Sequence, residues 1–228
     1  MPDLLVIGER AYSSWSLRGW LAFAAFGLEV ETVLAPMGDP RFAATLAAFP
    51  PARTVPAARL EGVGVVWDTL AIAETLAGRR PDIAFWPADP ARRALARALA
   101  AEMHAGFAAL RGACPMDLRC AYAGFEPSPA VHADLVRIEA LWATARAAAP
   151  EGPWLLGAYS LADVFYAPVA ARIAAYRLPV GPDARAYVAA HLAHPAFLAW
   201  RAAALRDPRR LPTAGDGLPE LPWPGPEG

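Results

Sequence analysis

Strand signals in this chain are confined to its first third. Leu4 to Ile7 is a continuous apolar run ending at Gly8, the pattern of a short strand buried on both faces. From Trp15 onward, Leu17, Trp20, Leu21 and Ala24 recur at helical spacing, and Gly27 stands where a glycine would stop the helix. Val30 to Leu34 then reads as a second strand. Strand, helix and strand in this order form a βαβ unit, whose strands must run parallel with a right-handed crossover. Arg41 to Phe49 is a short helical segment closed by Pro50-Pro51. Ala57 to Leu60 and Val63 to Val66 flank Glu61-Gly62 and predict an antiparallel hairpin, followed by a helix over Asp68 to Ala77 with Gly78 beyond its end. The order βαβ, α, ββα predicts a mixed-sheet α/β domain over residues 1–78.

Residues 79–90 hold Pro81, Pro87 and Pro90 among mixed charges, the texture of a linker. Beyond it the apolar residues keep only the helical period. Leu95, Leu99, Met103, Phe107 and Leu110 draw one stripe, and Val131, Leu135, Ile138 and Trp142 draw another. Ser160-Leu161-Ala162-Asp163 has the spacing of a capping box, and Pro168 interrupts the helix that it opens. Two shorter helices are expected over Asp183 to His191 and Pro195 to Ala204, with an irregular tail from Pro208. Residues 91–228 are therefore expected to form an all-helical domain.

Composition narrows the function. Hydrophobic residues make up 56% of the 228 positions and charged residues 19%, too apolar for a disordered chain and too interrupted by charge for a membrane protein. A net charge of −1 gives no long-range attraction for a polyanion, which argues against a nucleic-acid partner. Cys114 and Cys120 are too few for a disulfide scaffold and lack the further ligands of a zinc site, so no metal is expected. The first residues show no basic flank or long apolar core of a secretory leader, and a cytoplasmic location is expected.

Three places can carry chemistry. Tyr12-Ser13-Ser14-Trp15-Ser16 lies at the carboxyl end of the first strand, where open α/β sheets place ligands, and its hydroxyls face a helix N-terminus. A hydroxyl donating to a thiolate there would contribute about 1–3 kcal/mol, and the helix end about 0.3–1 more. An ordinary N-cap accounts for one of these serines. Val55-Pro56 precedes a short strand, and a cis bond there would turn the Val55 backbone outward to pair with an extended ligand. Asp68-Thr69 opens the next helix, where an amide and a hydroxyl could hold a carboxylate while Asp68 holds an ammonium.

Taken with the order of elements and the S-x-x-D box, these segments make the chain resemble the cytosolic glutathione transferase family over nearly its whole length. Tyr12-Ser13-Ser14-Trp15-Ser16-Leu17-Arg18 resembles the opening of a bacterial branch of that family and is similar to the S-S-C-S segment of the zeta class. Ala101-Glu102-Met103-His104 and Cys114-Pro115-Met116-Asp117-Leu118-Arg119 are similar to further segments of that branch.

The resemblance implies a thioredoxin-like N-terminal domain (βαβαββα), an all-α C-terminal domain and a homodimer. It also implies glutathione, as co-substrate, in the cleft between the domains. Ser13 or Ser14 would stabilise the glutathione thiolate, Val55 before Pro56 would pair with its cysteinyl part, and Asp68 and Thr69 would hold its γ-glutamyl end. Arg53 would reach the glycyl carboxylate, although Arg53-Thr54 stands where the family often has Gly-Lys. Met103, His104, Phe107, Arg111 and Tyr166 are expected at the electrophile site, with Arg97, His104 and Arg111 sharing one helical face. Trp15 stands where the zeta class has cysteine, so general conjugation of a small electrophile, a detoxification chemistry, is expected before zeta-type isomerisation. A non-catalytic ligand carrier or assembly module is the alternative of a different class.

Overall fold

The computed structural model describes residues 2–212 and 215–226, so residues 1 and 227–228 of the expected domain ranges, and 213–214 of the expected tail, lie outside the described residues. Strand β1 (Leu4–Ile7), helix α1 (Ser14–Ala24) and strand β2 (Glu31–Leu34) form the expected βαβ unit, with β1 and β2 parallel. After helix α2 (Arg41–Leu46), strands β3 (Ala57–Leu60) and β4 (Gly64–Val66) pair antiparallel, giving a four-stranded sheet in the order β2-β1-β3-β4. Side chains alternate across this sheet as strand geometry requires. Leu5 and Ile7 join the large core, whereas Val6 packs on the opposite face with Ala35, Leu46, Phe49 and Ala57.

Helix α3 (Thr69–Arg79) runs through Gly78 instead of stopping before it. A helical glycine costs only about 1 kcal/mol, and Arg79 in the last turn is anchored by an ion pair to Asp3 at 2.9 Å. Helix α2 likewise ends at Leu46, short of the expected Phe49, before the Pro50-Pro51 pair.

The second half contains α4 (Pro90–Ala105), α5 (Ala108–Ala113), α6 (Pro129–Ala148), α7 (Leu161–Ala175), α8 (Pro182–Leu192) and α9 (Pro195–Leu205). The first apolar stripe divides at Gly106 and Phe107, the latter in the left-handed region with φ 57°. Asp134 of α6 accepts the Leu110 amide at 2.9 Å and so caps the new start of α5 from a neighbouring helix. Arg111 therefore sits on α5, and Arg97, His104 and Arg111 do not share a helical face. Arg97 instead forms two hydrogen bonds to Glu74, at 2.8 and 3.0 Å.

Helix α7 is buried almost all round, the mark of a helix at the centre of a bundle. It packs against α1, α4 and α8, joining the two halves of the chain. The tail expected to be irregular contributes a short strand, β6 (Glu220–Leu221), which pairs antiparallel with β5 (Ala121–Tyr122). Such a ribbon pairs segments far apart in sequence, which local periodicity does not register. Among the described residues no helix is long and apolar enough to cross a membrane, and no cluster of His, Cys, Asp or Glu could hold a metal.

His191 of α8 is 1% exposed among Trp154, Tyr159 and Tyr187, and its Nε2 has no partner among the described residues. Burial, reinforced by His194, pushes its imidazole down to about 3. The unfolded chain then binds this proton at higher pH than the folded chain. Its share of stability is complete above about pH 6.5 and is lost as pH falls from there toward 3. Between pH 7 and pH 5 the loss from this group is expected to reach about 2 kcal/mol. Urea titrations at the two pH values check it, and a His191→Gln variant should flatten the dependence.

Candidate active site

The loop joining β1 to α1 is held by the helical half of the chain. Leu118 donates its amide to Ala11 O at 3.2 Å, and Trp200 donates Nε1 to Arg10 O at 2.9 Å. Glu9, 1% exposed, pairs with Arg209, which also donates to Met37 O at 2.6 Å. These ties set the start of α1, and with it both candidate serines, against α7.

The two serines have different partners. Ser13 is the N-cap of α1: its Oγ accepts the Ser16 amide at 3.3 Å and lies 2.7 Å from Ser16 Oγ, which itself accepts the Gly8 amide at 2.9 Å. Ser14 is the first residue of the helix, and its Oγ accepts a hydrogen bond from Arg172 Nη2 at 3.1 Å. Among the described residues no acceptor takes the hydroxyl hydrogen of Ser14, which lies next to a guanidinium and at a helix N-terminus. The serines are 7% and 9% exposed respectively, so neither is an ordinary surface residue.

Arg172 was not among the residues singled out from sequence. The signal was present: Asp163 and Arg172 are the only charges in the otherwise apolar α7. Its other donors go to Cys114 O at 2.8 Å and Pro168 O at 3.3 Å. The Cys114 to Arg119 segment thus contributes two backbone anchors, one for Arg172 and one for the loop before Ser13. Burial holds the Arg172 guanidinium down to about 10, so it stays charged at neutral pH. Burial also pushes the Cys114 thiol up to about 12 and raises Cys120, so neither is a ready nucleophile.

Trp15 forms the middle of the arrangement. The Arg18 and Arg111 guanidinium carbons lie 4.4 and 4.9 Å from its ring centre. His104 contacts the same ring edge-on at 5.1 Å, and its Nε2 lies 3.0 Å from Asp68 Oδ2. Asp68 caps α3 by accepting the Leu70 amide at 3.0 Å, yet its side chain is 48% exposed. Thr69 is buried, and its Oγ1 has no partner among the described residues.

The Val55–Pro56 bond is cis. Val55 lies outside the sheet ladder, which begins at Ala57. Pro56 packs directly on α1: a Cβ on Gly19 would come within 2.8 Å of the proline ring, so only glycine admits this approach. Arg53 is exposed. The structure gathers Ser14, Asp68, His104 and Arg111 around Trp15 and Arg172, whereas Met103, Phe107 and Tyr166 are buried in the core.

Residues 12–79 match the family model described as glutathione S-transferase, N-terminal domain. No curated protein matches the chain. Among solved structures, a glutathione transferase homolog from Burkholderia with bound glutathione superposes with a TM-score of 0.65 at 23% identity, covering 91% of this chain and all of that one. A maleylacetoacetate isomerase from Anaeromyxobacter dehalogenans, with glutathione in its active site, gives 0.63 at 24% identity over 91% of this chain and 97% of that chain. A theta class glutathione S-transferase from Xanthomonas axonopodis with glutathione bound gives 0.59 at 22% identity, covering 87% of this chain and 97% of that chain. The chain thus has the glutathione transferase fold, a thioredoxin-like domain followed by a mostly helical region, and its residues 12–79 match that family's N-terminal domain.

Proposed function

We propose that the chain is a glutathione transferase in which residues 1–78 hold glutathione and residues 91–228, beyond a linker at 79–90, receive a small electrophile. The observation that carries this reading is the Ser14 hydroxyl, which accepts from Arg172 and keeps its own hydrogen free at the N-terminus of α1. Glutathione, when bound, supplies a thiol whose thiolate form attacks an electrophilic carbon.

Ser14 donates its hydrogen to that sulfur, and Arg172 behind it adds a fixed positive charge in a water-poor setting. The α1 N-terminus contributes its own partial positive charge. Ser13, tied to Ser16, shapes the helix start. The buried Thr69 Oγ1 without a partner and the half-exposed Asp68 carboxylate fit the two charges of a γ-glutamyl end, a carboxylate and an ammonium. Val55, outside the ladder, offers its peptide groups to an extended backbone. Arg53 is exposed and free to reach a second carboxylate. With Trp15 where an isomerase of the zeta type has cysteine, the residues here supply no second thiol.

A pH titration of the protein with glutathione, following thiolate absorbance in the ultraviolet, tests the reading. The bound thiol is expected to ionise about one to two pH units below the free one, from the summed hydroxyl, helix-end and guanidinium contributions. Binding without a shift would instead support a ligand carrier, and no binding would support an assembly module.

A further inference from the structure

We infer that the electrophile carries a carboxylate, received by Arg111 beside Trp15 with Arg18 and Arg172 behind it. This deepens the transferase reading and rests on it. Arg18 and Arg172 are 1% and 4% exposed, and every hydrogen bond they make goes to a neutral oxygen. Arg18 donates to Phe165 O at 2.8 Å and Ser14 O at 3.3 Å; Arg172 donates to Cys114 O, Pro168 O and Ser14 Oγ. Arg111 donates to Gly106 O at 3.1 Å. Among the described residues none of the three has a carboxylate partner.

Among the more exposed arginines, Arg93 and Arg146 donate to backbone carbonyls, whereas others meet carboxylates. Arg97 pairs with Glu74, Arg137 with Glu102 and Arg80 with Asp82. Water would satisfy those cations anyway, whereas a buried charge needs a partner. Arg18 and Arg172, buried without a carboxylate, are therefore not what stability alone selects. The acids around this site face other groups: Asp68 faces His104, Glu102 takes Arg137 and Asp134 accepts the Leu110 amide. A ligand carboxylate would supply the negative charge that these three cations lack.

A second, independent observation points the same way. Among the described residues Arg18 Nη2 is buried with no hydrogen-bond partner, on a guanidinium that lies against Trp15 together with that of Arg111. One thiolate at Ser14 would offset one of three positive charges. A planar carboxylate matches the donor fork of a second guanidinium, and Arg111, only partly buried, is the one a ligand reaches first.

Calorimetric titration of the full chain, with the unreactive analogue S-methylglutathione present to fill the glutathione place, tests this with two probes of equal shape. 4-Nitrobenzoate is expected to bind at least about tenfold more tightly than neutral 4-nitrobenzamide, as for a charge-assisted guanidinium contact. Arg111→Leu should erase that preference and Arg111→Lys should restore part of it. The affinity for S-methylglutathione should stay unchanged in both variants. Equal binding of the two probes by the unaltered chain, or a preference that survives in Arg111→Leu, overturns the inference. Failure of the transferase reading shows separately, as absent S-methylglutathione binding in its own titration.

Discussion

Ser14→Ala is expected to lower glutathione-dependent turnover by about 10- to 100-fold, the equivalent of losing one hydrogen bond to a charged acceptor worth about 1.5–3 kcal/mol. Glutathione affinity should change little, because Val55, Asp68 and Thr69 are untouched. The bound thiol should ionise closer to the pH of the free one. Ser13→Ala should behave differently, since its Oγ accepts the Ser16 amide and shares a hydrogen bond with Ser16 Oγ. Losing that cap costs about 0.5–2 kcal/mol of stability with turnover largely kept. Steady-state kinetics and thermal melts on both variants separate the roles. Loss of turnover only in Ser13→Ala would transfer the thiolate role to Ser13, and full turnover in both variants would overturn the serine assignment.

The largest stability effect is expected at Asp163. Its Oδ1 accepts the Leu155 amide at 3.1 Å and the Tyr187 hydroxyl at 2.9 Å, and its Oδ2 accepts the Ser160 amide at 2.9 Å and hydroxyl at 3.0 Å. The carboxylate is fully buried, so all four donors would be left without water or partner after Asp163→Ala. At about 1–1.5 kcal/mol for each hydrogen bond, the loss reaches about 4–6 kcal/mol, a large part of the 5–15 kcal/mol typical of a folded domain. Asp163→Asn keeps one acceptor oxygen and should recover about half. Calorimetric melts check both. A loss below about 1.5 kcal/mol for the alanine variant would mean that the donors find other partners.

Much of the architecture follows from local pattern. The run Leu4 to Ile7, the helical spacing from Leu17 to Ala24 and the Glu61-Gly62 turn each act within a few residues, so the βαβ unit and the hairpin appear where periodicity places them. The Ser160-to-Asp163 spacing is similarly local, and the box forms. Where the reading from periodicity failed, a distant partner had intervened. Asp134 restarts the helix at α5, Asp3 secures the end of α3 past Gly78, and Tyr122 recruits Glu220 into a ribbon.

The candidate site divides along the same line. The serines, Val55-Pro56 and Asp68-Thr69 are legible because each sits at the start of a helix or strand that the chain announces locally. Which serine has a free hydroxyl is a different kind of fact. It depends on Arg172, 158 positions further along, reaching back to Ser14 while Cys114 holds its other side. The sequence records three arginines in apolar surroundings, but their lack of a carboxylate partner exists only once every acid has a place. Periodicity is a property of neighbours in the chain; charge balance is a property of neighbours in space, and only the folded packing of α1, α5 and α7 decided it.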